Sequence, residues 1–210
     1  MNKPSSVARD GSRVARERRR LARGIAAWLL LPMLTGGTLR AHQRAGPIEP
    51  PRPMPAIRVT TAATQQLDLA QQLRGRVTAL QLMFTGCAVT CPLQGAVFAV
   101  AQARLADTPR RAQLLSVSVD PLADDPRALA AWLARFGADP RRWTAAVPVI
   151  SQGDALMRFL QAAGGAKAPL PADHSTQVFF FDADARLVLA TAELPTGDEV
   201  ARLLESLAAR

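Results

Sequence analysis

Two apolar runs bracket a helical one in the middle of this chain, and that order leaves few folds open to it. Val77–Phe84 is apolar apart from Thr78 and Gln81, and Gln113–Val119 is a second such run, ending at Asp120-Pro121. Strands covered on both faces read as near-continuous apolar runs, so both are predicted to be buried strands of a parallel sheet. Between them, Pro92–Ala106 has helical spacing through Val97, Val100 and Leu105. Pro126–Phe136 reads as the next helix, with Asp124 or Asp125 as its cap and Gly137 after its end. Val147–Ile150 reads as a weaker strand, and Asp154–Ala163 as a short helix stopped by Gly164-Gly165. Thr176–Phe181 and Arg186–Thr191 flank Asp182-Ala183-Asp184-Ala185 as a hairpin, and a last helix spans Gly197–Ala208.

This order predicts an α/β domain of thioredoxin-like type, a central sheet flanked by helices, over residues 57–210. What precedes it is different in kind. The formal charge of +9 is concentrated at the N-terminus: residues 1–42 hold nine Lys/Arg against two Asp/Glu, which leaves +2 for the rest. With no Tyr in the chain and no interleaved basic and aromatic platform, the charge does not describe a nucleic-acid-binding face. The stretch Arg16–Arg23 precedes an apolar run, Ile25–Leu34, as in an export signal. A bilayer span takes about 20 apolar residues, and this run is shorter and interrupted by Pro32. Residues 1–40 are therefore expected to be an export signal or an uncleaved membrane anchor, with Arg18-Arg19-Arg20 compatible with a twin-arginine route. Either way the positive-inside rule places the remainder outside the cytoplasm, in the periplasm or on the outer face of the inner membrane. Residues 41–56 are rich in proline and are expected to form an extended, semi-rigid tether.

Chemistry concentrates at the end of the first strand. Cys87 and Cys91 are the only cysteines, in Phe84-Thr85-Gly86-Cys87-Ala88-Val89-Thr90-Cys91-Pro92. Proline is favoured in the first turn of a helix, so Cys91 is expected at a helix N-terminus, where free N–H groups and the macrodipole favour a thiolate. A helical turn between the cysteines brings their Cα atoms within about 6 Å, a span a disulfide tolerates. The pair can thus form a structural disulfide, cycle as a redox couple or hold a soft metal. A three-residue loop constrains the unfolded chain little, which argues against a purely structural bridge.

The cysteine loop resembles that of the Sco/SenC copper-chaperone family. Ser116-Val117-Ser118-Val119-Asp120-Pro121 with Asp125-Pro126, and Asp173-His174-Ser175 before an apolar strand, resemble the same family in the same order. The resemblance covers about residues 70–192. It implies a thioredoxin-like fold that binds copper, as Cu(I) or Cu(II), through Cys87, Cys91 and His174. It also implies a role at the copper centre of a respiratory oxidase, by delivering copper or by reducing the target's thiols. The partners would be the oxidase subunit that carries that centre, or its assembly factors. The donor set suits the metal: Cu(I) is soft, and two thiolates with one imidazole satisfy it. A carboxylate or carbonyl is expected to orient the ring of His174, with the adjacent Asp173 a poor candidate.

Three departures stand out. The family carries Cys-Pro-Asp-Val-Cys-like loops, where this chain has Ala88-Val89-Thr90 between its cysteines. The missing acid bears on partner docking and redox tuning more than on metal binding. The family's Gly-rich opening hairpin is not legible in Ile57–Leu73, and Trp143-Thr144-Ala145-Ala146 lacks the family's glycine. Met83 and Met157 read as core, His42 as a solvated part of the tether, and Asp120 as a turn residue without a catalytic role. The competing reading is a specialised thiol–disulfide oxidoreductase outside the cytoplasm, with Cys87 attacking and Cys91 resolving. A redox or copper sensor bound to a membrane partner ranks last, because the sequence offers no separate output domain.

Overall fold

The computed structural model describes residues 45–106, 111–161 and 174–210. The expected leader at 1–40, His42 and Asp173 lie outside them. Among the described residues no helix is long and apolar enough to cross a membrane. The elements are β1 (Gly46–Pro53), β2 (Arg58–Thr61), β3 (Gln66–Asp68), α1 (Leu69–Leu73), β4 (Val77–Met83), α2 (Thr90–Arg104) and β5 (Ala112–Ser118). Then follow α3 (Pro126–Arg135), β6 (Trp143–Pro148), α4 (Ile150–Gln161), β7 (Val178–Phe181), β8 (Arg186–Ala190) and α5 (Gly197–Ala208).

Among the described residues one sheet holds the eight strands in the order β1-β8-β7-β4-β5-β6-β2-β3. Its centre is parallel, β4 with β5 and β5 with β6, and the flanking pairs are antiparallel. Every residue of β4 and β5 is buried, as their sequences predict for strands with both faces covered. On one face Leu80, Leu82, Leu115 and Phe181 pack under Leu69 and Leu73 of α1 and Leu156 and Leu160 of α4. On the other, Ala79, Leu114, Trp143 and Phe180 pack under Phe98 of α2, Leu129 and Trp132 of α3 and Leu204 of α5.

Several polar groups inside the sheet pair with one another, although the buried Gln81 Oε1 has no partner among the described residues. The Trp143 indole N–H and the Gln81 amide both donate to Ser116 Oγ, each at 2.9 Å. Gln113 Nε2 donates to Thr78 Oγ1 at 2.7 Å. An unmatched buried donor costs about 1–3 kcal/mol, so these pairs fix which strand residues can face each other.

The thioredoxin-like arrangement matches the sequence reading, with four corrections. First, the expected tether at 41–56 is partly sheet, because Gly46–Pro53 forms edge strand β1 against β8. Proline is tolerated on an edge, where its missing N–H faces away from the ladder. Second, the strand expected at Val147–Ile150 is β6 at Trp143–Pro148, and α4 begins at Ile150 instead of Asp154. Alanines at 145 and 146 hide its β character, while the buried Trp143 anchors it. Third, α2 begins two residues before Pro92 and is turned relative to the expected stripe. Its sheet-facing residues are Cys91, Gln94, Phe98 and Ala101, whereas Val100 lies on the flank of α2 that Gly197 of α5 approaches and stays partly exposed there. Fourth, an opening hairpin, β2 with β3, does exist within Ile57–Leu73, without glycine. Its turn is closed by Thr64, whose φ of 63° lies in the left-handed region. Asp125 rather than Asp124 caps α3, accepting from Ala128 N at 2.7 Å.

Candidate metal centre

Parallel strands put their connecting loops at one sheet edge, and the site forms there, beyond the C-terminal ends of β4 and β5. The chain leaves β4 at Met83, tightens through a hydrogen bond from Cys87 N to the Phe84 carbonyl (3.2 Å), and enters α2 at Thr90. Asp124 holds this loop from the β5–α3 connection. Its carboxylate accepts from Thr85 N (3.2 Å), Thr85 Oγ1 (2.5 Å) and Ser118 Oγ (2.6 Å), and it is 6% exposed.

The N-terminus of α2 has no side-chain cap, since its N-cap position is Val89. Cys87 takes that role. Its Sγ accepts from Cys91 N at 3.4 Å, satisfying one of the free N–H groups of the first turn, and lies 3.5 Å from Thr90 Oγ1. These contacts decide its acidity. Burial alone would raise the Cys87 pKa. Hydrogen bonds from Thr90, from the Cys91 thiol and from the N–H groups of Cys91 and Val89 outweigh it and bring the pKa down to about 6. Cys91 goes the other way. Its side chain is fully buried, and that burial, the hydrogen bond to Cys87 and the charge on Cys87 push it up to about 12. The two sulfurs, four residues apart, are thus one thiolate and one thiol at neutral pH.

His174 completes the arrangement from the segment before β7. Its Nε2 lies 3.5 Å from Cys91 Sγ, and its Nδ1 lies 3.0 Å from the Ser175 carbonyl oxygen. A carbonyl only accepts, so Nδ1 carries the proton and the Nε2 lone pair faces the thiol of Cys91. Burial lowers the His174 pKa against the opposing effects of the Ser175 carbonyl and the Glu193 charge, which favours the neutral, ligating form. Phe84 packs its ring edge-on to the imidazole, with centroids 5.9 Å apart.

The three sequence-predicted residues therefore form a chain of contacts, Cys87 to the Cys91 amide and Cys91 to His174. Both thiols are free. Among the described residues no group of three or more His, Cys, Asp or Glu is already closed around a metal position. The donors themselves, two sulfurs and a neutral imidazole nitrogen, are the types a soft ion takes. Met83 and Met157 are buried in the two cores, and Asp120 forms a turn, its carbonyl accepting from Asp124 N, as expected. Sequence reasoning missed Thr90 as a partner of Cys87, Asp124 as the anchor of the cysteine loop, and Glu193. It offered Asp124 only as a cap; Glu193 carries no local signal at all.

A family model described as SCO1/SenC matches residues 59–209. No curated protein is similar enough in sequence to be counted a relative. Among solved structures, a SCO1/SenC family lipoprotein from Bacillus anthracis superposes with a TM-score of 0.62 at 21% identity, covering 77% of this chain and 99% of that one. BsSco, described as a member of the Sco family of cytochrome c oxidase assembly proteins and as having a disulfide switch, gives 0.63 at 18% identity, over 75% and 94%. Yeast Sco1 with copper bound gives 0.58 at 16% identity, over 74% and 94%.

Proposed function

Because the chain belongs to the SCO1/SenC family, we propose that it binds copper through Cys87, Cys91 and His174 and serves the copper centre of a respiratory oxidase. The observation that carries this reading is the approach of His174 Nε2 to Cys91 Sγ, 3.5 Å, with Cys87 Sγ held against the N–H of Cys91. Two sulfurs and one imidazole nitrogen, with only Cys87 partly exposed, leave a coordination position for a recipient's ligand, which transfer requires. Copper is cargo in this reading, taken up and passed on.

Exposed apolar side chains lie on the cysteine loop and the segments joined to it: Val89 (74% exposed) between the cysteines, Leu93 on α2, and Leu122 (81%) on the loop that carries Asp124. They suit a protein partner presenting its own metal ligands. The leader read at residues 1–40 supports a place outside the cytoplasm, in the periplasm or on the outer face of the inner membrane.

A second reading, reduction of the target's cysteine pair from disulfide to thiols, draws on the split between the two sulfurs. A thiolate at Cys87 attacks a target disulfide and forms a mixed disulfide. Cys91, on losing its proton, then attacks Cys87 Sγ and releases the reduced target, leaving Cys87–Cys91 oxidised. The cycle needs an external dithiol to restore the pair.

Anaerobic Cu(I) titration of the reduced chain separates the readings. Delivery predicts about one tightly bound Cu(I), lost in Cys87→Ser and Cys91→Ser and weakened in His174→Ala. Unchanged affinity in both cysteine variants would sink it. A reductase role predicts disulfide-reducing activity that survives His174→Ala.

A further inference from the structure

We propose that Glu193 is the positioning residue for His174, acting through Ser175 and Thr176 to keep the ring's Nδ1–H on the Ser175 carbonyl and its Nε2 lone pair facing Cys91. His174 and Ser175 are both buried but lie ahead of β7, where no strand ladder fixes their backbone. The fixing comes from the segment after β8. One Glu193 oxygen accepts from Ser175 Oγ at 2.9 Å. The other accepts from Thr176 N at 2.6 Å and from the Thr176 hydroxyl. Leu194 N adds a hydrogen bond back to the Thr176 carbonyl at 3.4 Å.

The backbone is bent to make this possible. Leu194 has a φ of 48°, in the left-handed region that a bulky side chain avoids. Such strain persists only where the surroundings hold it, and here those surroundings are the contacts with residues 175 and 176. Ser175 is the hinge of the device. Its hydroxyl is held by Glu193, its carbonyl receives the imidazole proton, and its Oγ also accepts from Gln177 N at 3.1 Å. An acid two elements away thereby decides which ring nitrogen is left free. Outer partners of this kind set both tautomer and ring orientation of a ligating histidine.

The test reads the ring directly and needs no metal. In the reduced, metal-free chain carrying His42→Gln, so that one histidine remains, the 15N shifts of the His174 ring at pH 8 should show the Nδ1–H tautomer. Glu193→Ala should convert it to a mixture of both tautomers. Glu193→Gln keeps an oxygen for Ser175 but turns an NH2 group toward the Thr176 donors, so it should move the ring the same way without a large apolar change. A ring that stays Nδ1–H in both variants overturns the inference. This inference rests on the copper reading for its second readout: Cu(I) affinity should fall by about 10–100-fold in Glu193→Ala. Absence of Cu(I) binding by the wild type would defeat the copper reading and leave the tautomer result standing; an unchanged affinity beside a binding wild type overturns the positioning role.

Discussion

Cys91 Sγ lies 3.5 Å from His174 Nε2 although 83 residues separate them in the chain. The contact holds a proton where a metal would sit. With Nδ1–H donated to the Ser175 carbonyl, Nε2 can only accept, and it competes with Cys87 Sγ for the single hydrogen of the Cys91 thiol. A soft cation that enters between them must first displace that hydrogen.

Metal uptake should therefore release a proton, and mainly from one sulfur. At pH 7.5 Cys87, with its pKa near 6, is already a thiolate, whereas Cys91, near 12, is not. Cu(I) binding should release about one proton per chain, and the apparent affinity should rise about tenfold per pH unit between pH 7 and 10. Calorimetry in buffers of different ionisation enthalpy measures the release. Release of about two protons at pH 7.5 would show that Cys87 is not the thiolate described here.

The acidity of Cys87 should depend on Thr90, which occupies a position where the family's loop carries valine. Thr90→Val keeps the shape and removes the hydroxyl 3.5 Å from Cys87 Sγ. A hydrogen bond to a charged group contributes about 1.5–3 kcal/mol, so the Cys87 pKa should rise by roughly one to two units. Thiolate absorbance and iodoacetamide alkylation, followed from pH 4 to 10, report it. In the wild type the alkylation rate should climb through about pH 6 and level off, with Cys91 protected throughout by burial. Superimposable profiles for wild type and Thr90→Val would refute the assignment.

The same two sulfurs give the reduced protein a bell-shaped stability. Cys87 has its pKa lowered on folding from the ordinary 9.0, so its contribution is complete above pH 9 and is lost as pH falls through 6. Cys91 has its pKa raised on folding, so its contribution is complete below pH 9 and is lost as pH rises toward 12. Urea midpoints of the reduced chain should therefore peak near pH 9 relative to a Cys87→Ala, Cys91→Ala double variant. A flat difference between pH 6 and 11 would contradict both shifts.

Much of this arrangement was legible in the sequence because its signals are local. The fully buried β4 and β5 announce themselves by composition, Asp125 and Pro126 announce α3, and the cysteines mark the loop between β4 and α2. What could not be read depends on distant partners. β1 is a strand only because β8 offers it an edge, and nothing in Gly46–Pro53 suggests pairing. β6 is held by Trp143, whose indole N–H finds Ser116 27 residues away. Glu193 and Asp124 act across loops 18 and 39 residues apart, distances over which a single sequence carries no pattern.

Asp124 is the anchor whose loss the cysteine loop should feel most. Asp124→Ala strands the buried Ser118 hydroxyl and both Thr85 donors, and each unsatisfied group costs about 1–3 kcal/mol, so a loss of about 3 kcal/mol is expected. Asp124→Asn retains one acceptor and should lose less. Asp125→Ala removes only the N-cap of α3, worth about 1 kcal/mol. Denaturant unfolding ranks the three, and an Asp125→Ala cost at or above that of Asp124→Ala would reverse the roles assigned to the neighbouring acids.

Gly197 tests how closely α5 must approach the helix that carries Cys91. A Cβ at this position would lie 2.6 Å from the Val97 carbonyl oxygen and 2.6 Å from Val100 Cβ. Side-chain rotation cannot relieve a backbone contact, so Gly197→Ala must push α5 away from α2 and strain the Arg104–Asp198 ion pair beside it. Gly197 is the first residue of α5, where alanine's advantage as a helix former is small, and overpacking of this kind costs about 1–3 kcal/mol, so the clash should win. Gly137 provides the contrast. It has open space around its Cα but a φ of 64°, so Gly137→Ala should cost about 1 kcal/mol from backbone strain alone, with no displacement of α5. Hydrogen exchange across 197–208 should quicken in the Gly197 variant and not in the Gly137 one. A Gly197→Ala protein as stable as the wild type would mean that the two helices are not in the close contact described.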